Sequence, residues 1–101
     1  MFYNVLDLED LVDNKENIFD KRLLLERGES SLSVIGLKKH EVLENHVSVC
    51  DAAALVFEGE AEFHFNAEKF VVKKGQIIMF EKEKEHNVLA LKDTKFLLIK
   101  I

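Results

Sequence analysis

Ala54-Leu55-Val56-Phe57-Glu58-Gly59-Glu60-Ala61-Glu62-Phe63-His64-Phe65 is the stretch whose alternation decides the fold. Past Gly59, Ala61, Phe63 and Phe65 fall on one face and Glu60, Glu62 and His64 on the other. That is the period of a strand with one packed side and one wet side. Phe70 and Val72 carry the apolar face onward after Asn66-Ala67-Glu68-Lys69, so the two runs predict a hairpin. Gly59 breaks an apolar run, where glycine marks a bulge or the close approach of other backbone. Gly75, behind Lys73 and Lys74, predicts a turn that needs a relaxed backbone.

The same pattern extends in both directions, and from Ile18 onward the chain reads as strands. Apolar runs recur at Arg22 to Leu25, Leu32 to Leu37, Ala53 to Phe57, Ile77 to Phe80, Val88 to Leu91 and Phe96 to Ile101. Turn signals bound them: Gly28, Asn45, the charged run Glu81 to Glu85, and Lys92-Asp93-Thr94. Short strands spaced about 8–12 residues apart predict an all-β sandwich or barrel. Only the start hints at helix, with Asp7 placed to cap Leu8 to Val12. The last run is apolar on both faces, so its outer face calls for a cover: the N-terminal segment or a second copy of the chain.

A length of 101 residues predicts one domain with a real core, and 48% hydrophobic with 33% charged residues is the balance of a globular chain. A net charge of −5 with no basic stripe argues against nucleic acid as a partner. Cys50 is the lone cysteine, which rules out an internal disulfide. Met1 to Asp7 lacks the form of a signal peptide, and no apolar run approaches the roughly 20 residues of a membrane span. A cytoplasmic protein without a membrane partner is the expectation.

His46, Val56-Phe57-Glu58-Gly59-Glu60, and Gly75 followed eleven residues later by His86 form a skeleton that resembles the cupin superfamily. Those are jelly-roll barrels (double-stranded β-helices) with two signature blocks. The likeness covers residues 32–101, leaving 1–31 as an N-terminal arm and added strand of a single domain, 1–101. It implies a metal set of His-x-His and Glu from the first block and His from the second. Those positions hold His46, Ser48, Ala52 and His86 in this chain. Two imidazoles are fewer than the three or four protein ligands of a firmly held divalent ion, so no tightly bound metal is expected. The alternative is a divalent transition metal on His46 and His86, completed by Ser48, Cys50 or water.

His86 shares parity with Val88 and Ala90 and is predicted to point into the barrel mouth, as a ligand contact or as a buried ring bonded to a carbonyl. His46 is either its partner or a solvated strand end. Ser48, Val56, Phe63 and Val88 complete the predicted ligand-binding set, in an interior of small apolar side chains that suits a compact hydrophobic or aromatic molecule. His64 and His40 read as surface residues, Cys50 as an inert small residue, and Glu81 to Glu85 as a solvated loop or, less simply, a lid. The resulting expectation is a small-molecule-binding, non-catalytic barrel acting as a homodimer. Two alternatives stay open: a metal-dependent enzyme of isomerase or dioxygenase type using His46 and His86, or a dimeric interaction module.

Overall fold

The computed structural model describes residues 3–14 and 19–101, and only the backbone of Asn45 and His46. Ile18 lies outside the described residues. Among the described residues, nine strands form two antiparallel sheets. The first sheet holds β1 (Asp20–Arg27), β2 (Ser30–Leu37), β9 (Thr94–Lys100), β4 (Ala52–Glu58) and β7 (Ile77–Phe80), in that spatial order. The second holds β3 (Val42–His46), β8 (His86–Ala90), β5 (Glu60–Phe65) and β6 (Glu68–Lys73). No described helix is long and apolar enough to cross a membrane.

The inner faces of the two sheets make one core. Val56, Phe96 and Leu98 from the first sheet meet Ala61, Phe63 and Val88 from the second. Phe63 and Phe96 pack edge to face across the interface, with centroids 5.8 Å apart, the arrangement the aromatic quadrupole favours. The alternation that begins at Gly59 holds: Ala61 and Phe63 are buried, while Glu62 and His64 lie on the outer face within hydrogen-bond contact of each other. The β5–β6 hairpin pairs Phe63 with Phe70 and Ala61 with Val72, and Asn66 turns it with a positive φ of 45°.

Gly59 is the corner at which the chain passes from one sheet to the other. It separates β4 from β5, follows a register shift between Val56 and Glu58, and adopts φ +80°. A Cβ built there would stand 2.1 Å from the Asp93 carbonyl oxygen, so the close approach expected at this glycine is present. Gly75 has φ +86° with nothing within 4 Å, so its role is conformational alone.

Two local expectations need correction. Leu8 to Val12 is not a helix; one 3-10 turn at Leu8–Asp10 is all that forms, and Asp7 makes no side-chain cap bond. A segment this short does not nucleate a helix, and its contacts to the sheet come from irregular backbone. The Glu9 carbonyl accepts from Lys95 Nζ, and Asn14 Nδ2 donates to the carbonyls of Leu37 and Thr94. Val12 is buried and lies against Gly36 of β2. The second correction is β3, a whole strand where the sequence suggested only a strand end at His46. Its Glu44 and Asn45 dilute the apolar signal, while its pairing with β8 supplies the order.

Candidate functional site

At one end of the sandwich, β-sheet register lines up a row of residues. His86 of β8 lies opposite His46 of β3 on one side and opposite Phe65 of β5 on the other, and Phe65 lies opposite Glu68 of β6. The other sheet contributes Phe80 of β7, opposite Ala52 of β4. The His86 ring stacks on Phe65, with centroids 5.3 Å apart, and meets Phe80 at 4.6 Å. Phe65 and Phe80 are themselves 5.0 Å apart. Three rings in mutual contact close the mouth from the core below.

His86 is 4% exposed, and its Nδ1 lies 2.9 Å from the Lys84 carbonyl. A carbonyl only accepts, so Nδ1 carries the proton and, in the neutral ring, the lone pair is on Nε2. Such a bond fixes tautomer and orientation together, as the outer bond of a ligating histidine does. His86 is therefore a buried ring bonded to a carbonyl at this end of the sandwich.

The loop that supplies Lys84 is exposed yet tethered. The Lys82 amide donates to Asp51 Oδ1 at 2.9 Å and the Glu83 amide to the Ser48 carbonyl at 2.8 Å, with Glu83 at φ +65°. Ser48 Oγ accepts the Cys50 amide at 3.1 Å, a local turn bond. Cys50 is buried, with Sγ 3.1 Å from the Glu29 carbonyl.

The cupin metal set does not fit these residues. Ala52 has no donor atom, and it pairs with Phe80 across β4 and β7. Ser48 offers a neutral hydroxyl already engaged by the Cys50 amide. The His46 side chain lies outside the described residues. Among the described residues, no group of three His, Cys, Asp or Glu side chains is placed to hold a metal ion.

Of the predicted ligand-binding residues, register brings the backbones of His46 and His86 together. Val56, Phe63 and Val88 are at most 1% exposed, inside the packed core. Ser48 lines a separate cleft with Leu23, Cys50 and Lys100. His86 lines a cleft of about 480 Å³ with Phe65, Asn87 and loop residues Glu83 to Glu85, and a second opening lies beside the ring cluster. A cleft of about 500 Å³ opens where the edge strands β6 and β7 diverge, lined by Phe65, Phe70, Phe80, Glu68, Glu81 and Lys84. Phe70 and Phe80 are the residues that sequence reasoning passed over. The parity of Ile78 and Phe80 carried a signal for the second, because Ile78 packs on the core.

No family model matches this sequence, and no curated protein matches it either. Solved structures do. A conserved protein of unknown function from Streptococcus pyogenes is 27% identical, with a TM-score of 0.89, over 100% of this chain and 89% of that one. A cupin superfamily protein from Desulfitobacterium hafniense is 21% identical at TM-score 0.89, covering 100% of this chain and 93% of its own. An RmlC-like cupin from Desulfovibrio desulfuricans is 21% identical at 0.86, covering 97% and 95%. The two-sheet topology, the Gly59 corner and these likenesses together make this chain a protein of cupin fold, carrying an incomplete cupin metal-ligand set.

Proposed function

We propose that the protein binds a small organic molecule at the mouth of the barrel, beside His86, without metal-dependent catalysis. The cleft between β6 and β7 carries this reading. Its volume, about 500 Å³, is that of a small-molecule site, and its walls pair apolar rings with a few polar groups. The Phe65–Phe80 pair forms a preorganised floor, with the His86 ring packed on both, and the tethered loop 81–85 holds one rim. The donor chemistry at positions 48 and 52 argues against the alternative of an isomerase or dioxygenase built on His46 and His86. Elemental analysis of the purified full chain tests this, with well under one equivalent of transition metal expected. A tightly held stoichiometric metal would sink the proposal.

A homodimer is also proposed, on a specific observation. Among the described residues, the N-terminal segment covers the outer face of the first sheet around Gly36 and Lys95. Further along that face Met79, Ile77 and Ile101 remain 74%, 50% and 76% exposed. Beside them Ala53 and Ile99 line an apolar cleft of about 320 Å³. A contiguous apolar sheet face of this kind is a contact surface.

A further inference from the structure

We infer that the cleft between β6 and β7 selects a small organic cation, of the alkylammonium class. This rests on the proposed reading of that cleft as a binding site and adds the charge of its occupant. Phe70 and Phe80 meet Phe65 at 6.1 Å and 5.0 Å, with interplanar angles of 66° and 59°. Phe65 therefore forms the base and the other two rings form walls tilted away from it. Ring faces carry negative potential, and a cation held over several of them is attracted by each. The 43% exposure of Phe70 shows that its wall is open to an incoming ligand.

The charged groups of the rim point the same way. Glu68 and Glu81 line the cleft against the single ammonium of Lys84, two negative charges to one positive. Glu68 lies opposite Phe65 in the hairpin register, so it shares the face on which the aromatic floor lies. Glu81 immediately follows Phe80 at the end of β7. A carboxylate thus stands at each side of the opening, one on β6 and one just past the end of β7. An anionic ligand would meet both carboxylates and the ring faces with the unfavourable sign. Lys84 sits on a long flexible stem and can turn its ammonium to water.

Choline and its uncharged carbon isostere, 3,3-dimethylbutan-1-ol, separate charge from shape, and phenylacetate supplies the opposite charge. Each is titrated into the isotopically labelled full chain and followed by two-dimensional NMR at the amides of Phe65, Phe70, Phe80 and Glu81. Choline is expected to bind about tenfold more tightly than its isostere, a difference of ~1.4 kcal/mol. Glu68→Gln and Glu81→Gln are expected to reduce that preference, and Lys84→Met to increase it; all three are surface changes that leave the core intact. Equal affinity for choline and the isostere overturns the inference while the binding reading stands. Tighter binding of phenylacetate overturns it with the sign reversed. If none of the three perturbs these amides at millimolar concentration, the binding reading itself falls and the inference with it.

Discussion

Replacing Gly59 and Gly75 with alanine separates two reasons for a glycine, close approach and positive φ. At Gly59 the backbone is left-handed, φ +80°, and the new Cβ would stand 2.1 Å from the Asp93 carbonyl oxygen and 2.8 Å from Thr94 Oγ1. At Gly75 φ is +86°, but nothing lies within 4 Å. The conformational penalty is common to both and amounts to about 1–2 kcal/mol. At Gly59 alone the neighbouring backbone must also retreat by more than an ångström. Thr94 cannot follow freely, because it is fully buried and its hydroxyl lies 2.9 Å from the Glu60 carbonyl and 2.7 Å from the Lys92 carbonyl. Stranding a buried polar group costs a further ~1–3 kcal/mol.

Gly59→Ala is therefore expected to cost about 4 kcal/mol and Gly75→Ala about 1 kcal/mol. Urea unfolding followed by circular dichroism reads the difference. With a slope on the order of 1 kcal/mol per molar, the two midpoints should lie roughly 3 M apart. Asparagine at each position supplies a control, since it tolerates positive φ. Gly75→Asn should be close to neutral, while Gly59→Asn should be as damaging as alanine. Equal losses at the two positions would refute the close-approach argument and leave only a preference for positive φ.

The other expectations concern the first sheet's outer face. Gly36→Ala places a Cβ 2.4 Å from the Asp13 carbonyl oxygen. The N-terminal segment should be displaced rather than the sheet, at a cost of about 2 kcal/mol from exposing Val12. Hydrogen exchange should quicken at the Asp13 amide, which donates to Asp20 Oδ2, while the β5 and β9 amides stay protected. The wild-type chain should sediment as a dimer. Met79→Lys combined with Ile99→Lys should yield a folded monomer, and a wild-type chain already monomeric at high concentration removes the dimer proposal.

Much of the barrel was legible because its periodicity is local. Ala61, Phe63 and Phe65 alternate with charged neighbours in a hairpin that needs no distant partner to be recognised. Gly59 was legible as a bulge or close approach and Gly75 as a relaxed turn, but the partner that crowds Gly59 was not. That partner is a carbonyl at Asp93, far along the chain. β3 escaped because Val42-Leu43-Glu44-Asn45-His46 is short and half polar, and its strand character comes from pairing with β8. The helix expected at Leu8 to Val12 failed for the complementary reason. Propensity favoured a turn of helix, whereas the side chains of Asn14 and Lys95 hold the segment along the sheet.

The site shows the same division between pattern and place. His86 was legible through its spacing from Gly75, and its backbone does lie opposite that of His46. The rings around it were not legible as a set, because Phe65, Phe70 and Phe80 come from three strands in two sheets. Their assembly changes what the mouth can do. A cupin metal site needs several converging donors, but here Phe80 and Phe65 pack on the His86 ring at 4.6 and 5.3 Å, and among the described residues no group of three His, Cys, Asp or Glu side chains is placed to hold an ion. The carboxylates nearest the rings, Glu68 and Glu81, line the adjoining cleft instead. With no donor at Ala52, the Ser48 hydroxyl engaged by the Cys50 amide, and an aromatic floor beside an acidic rim, these residues support the proposed recognition of an organic ligand's charge and shape over coordination chemistry.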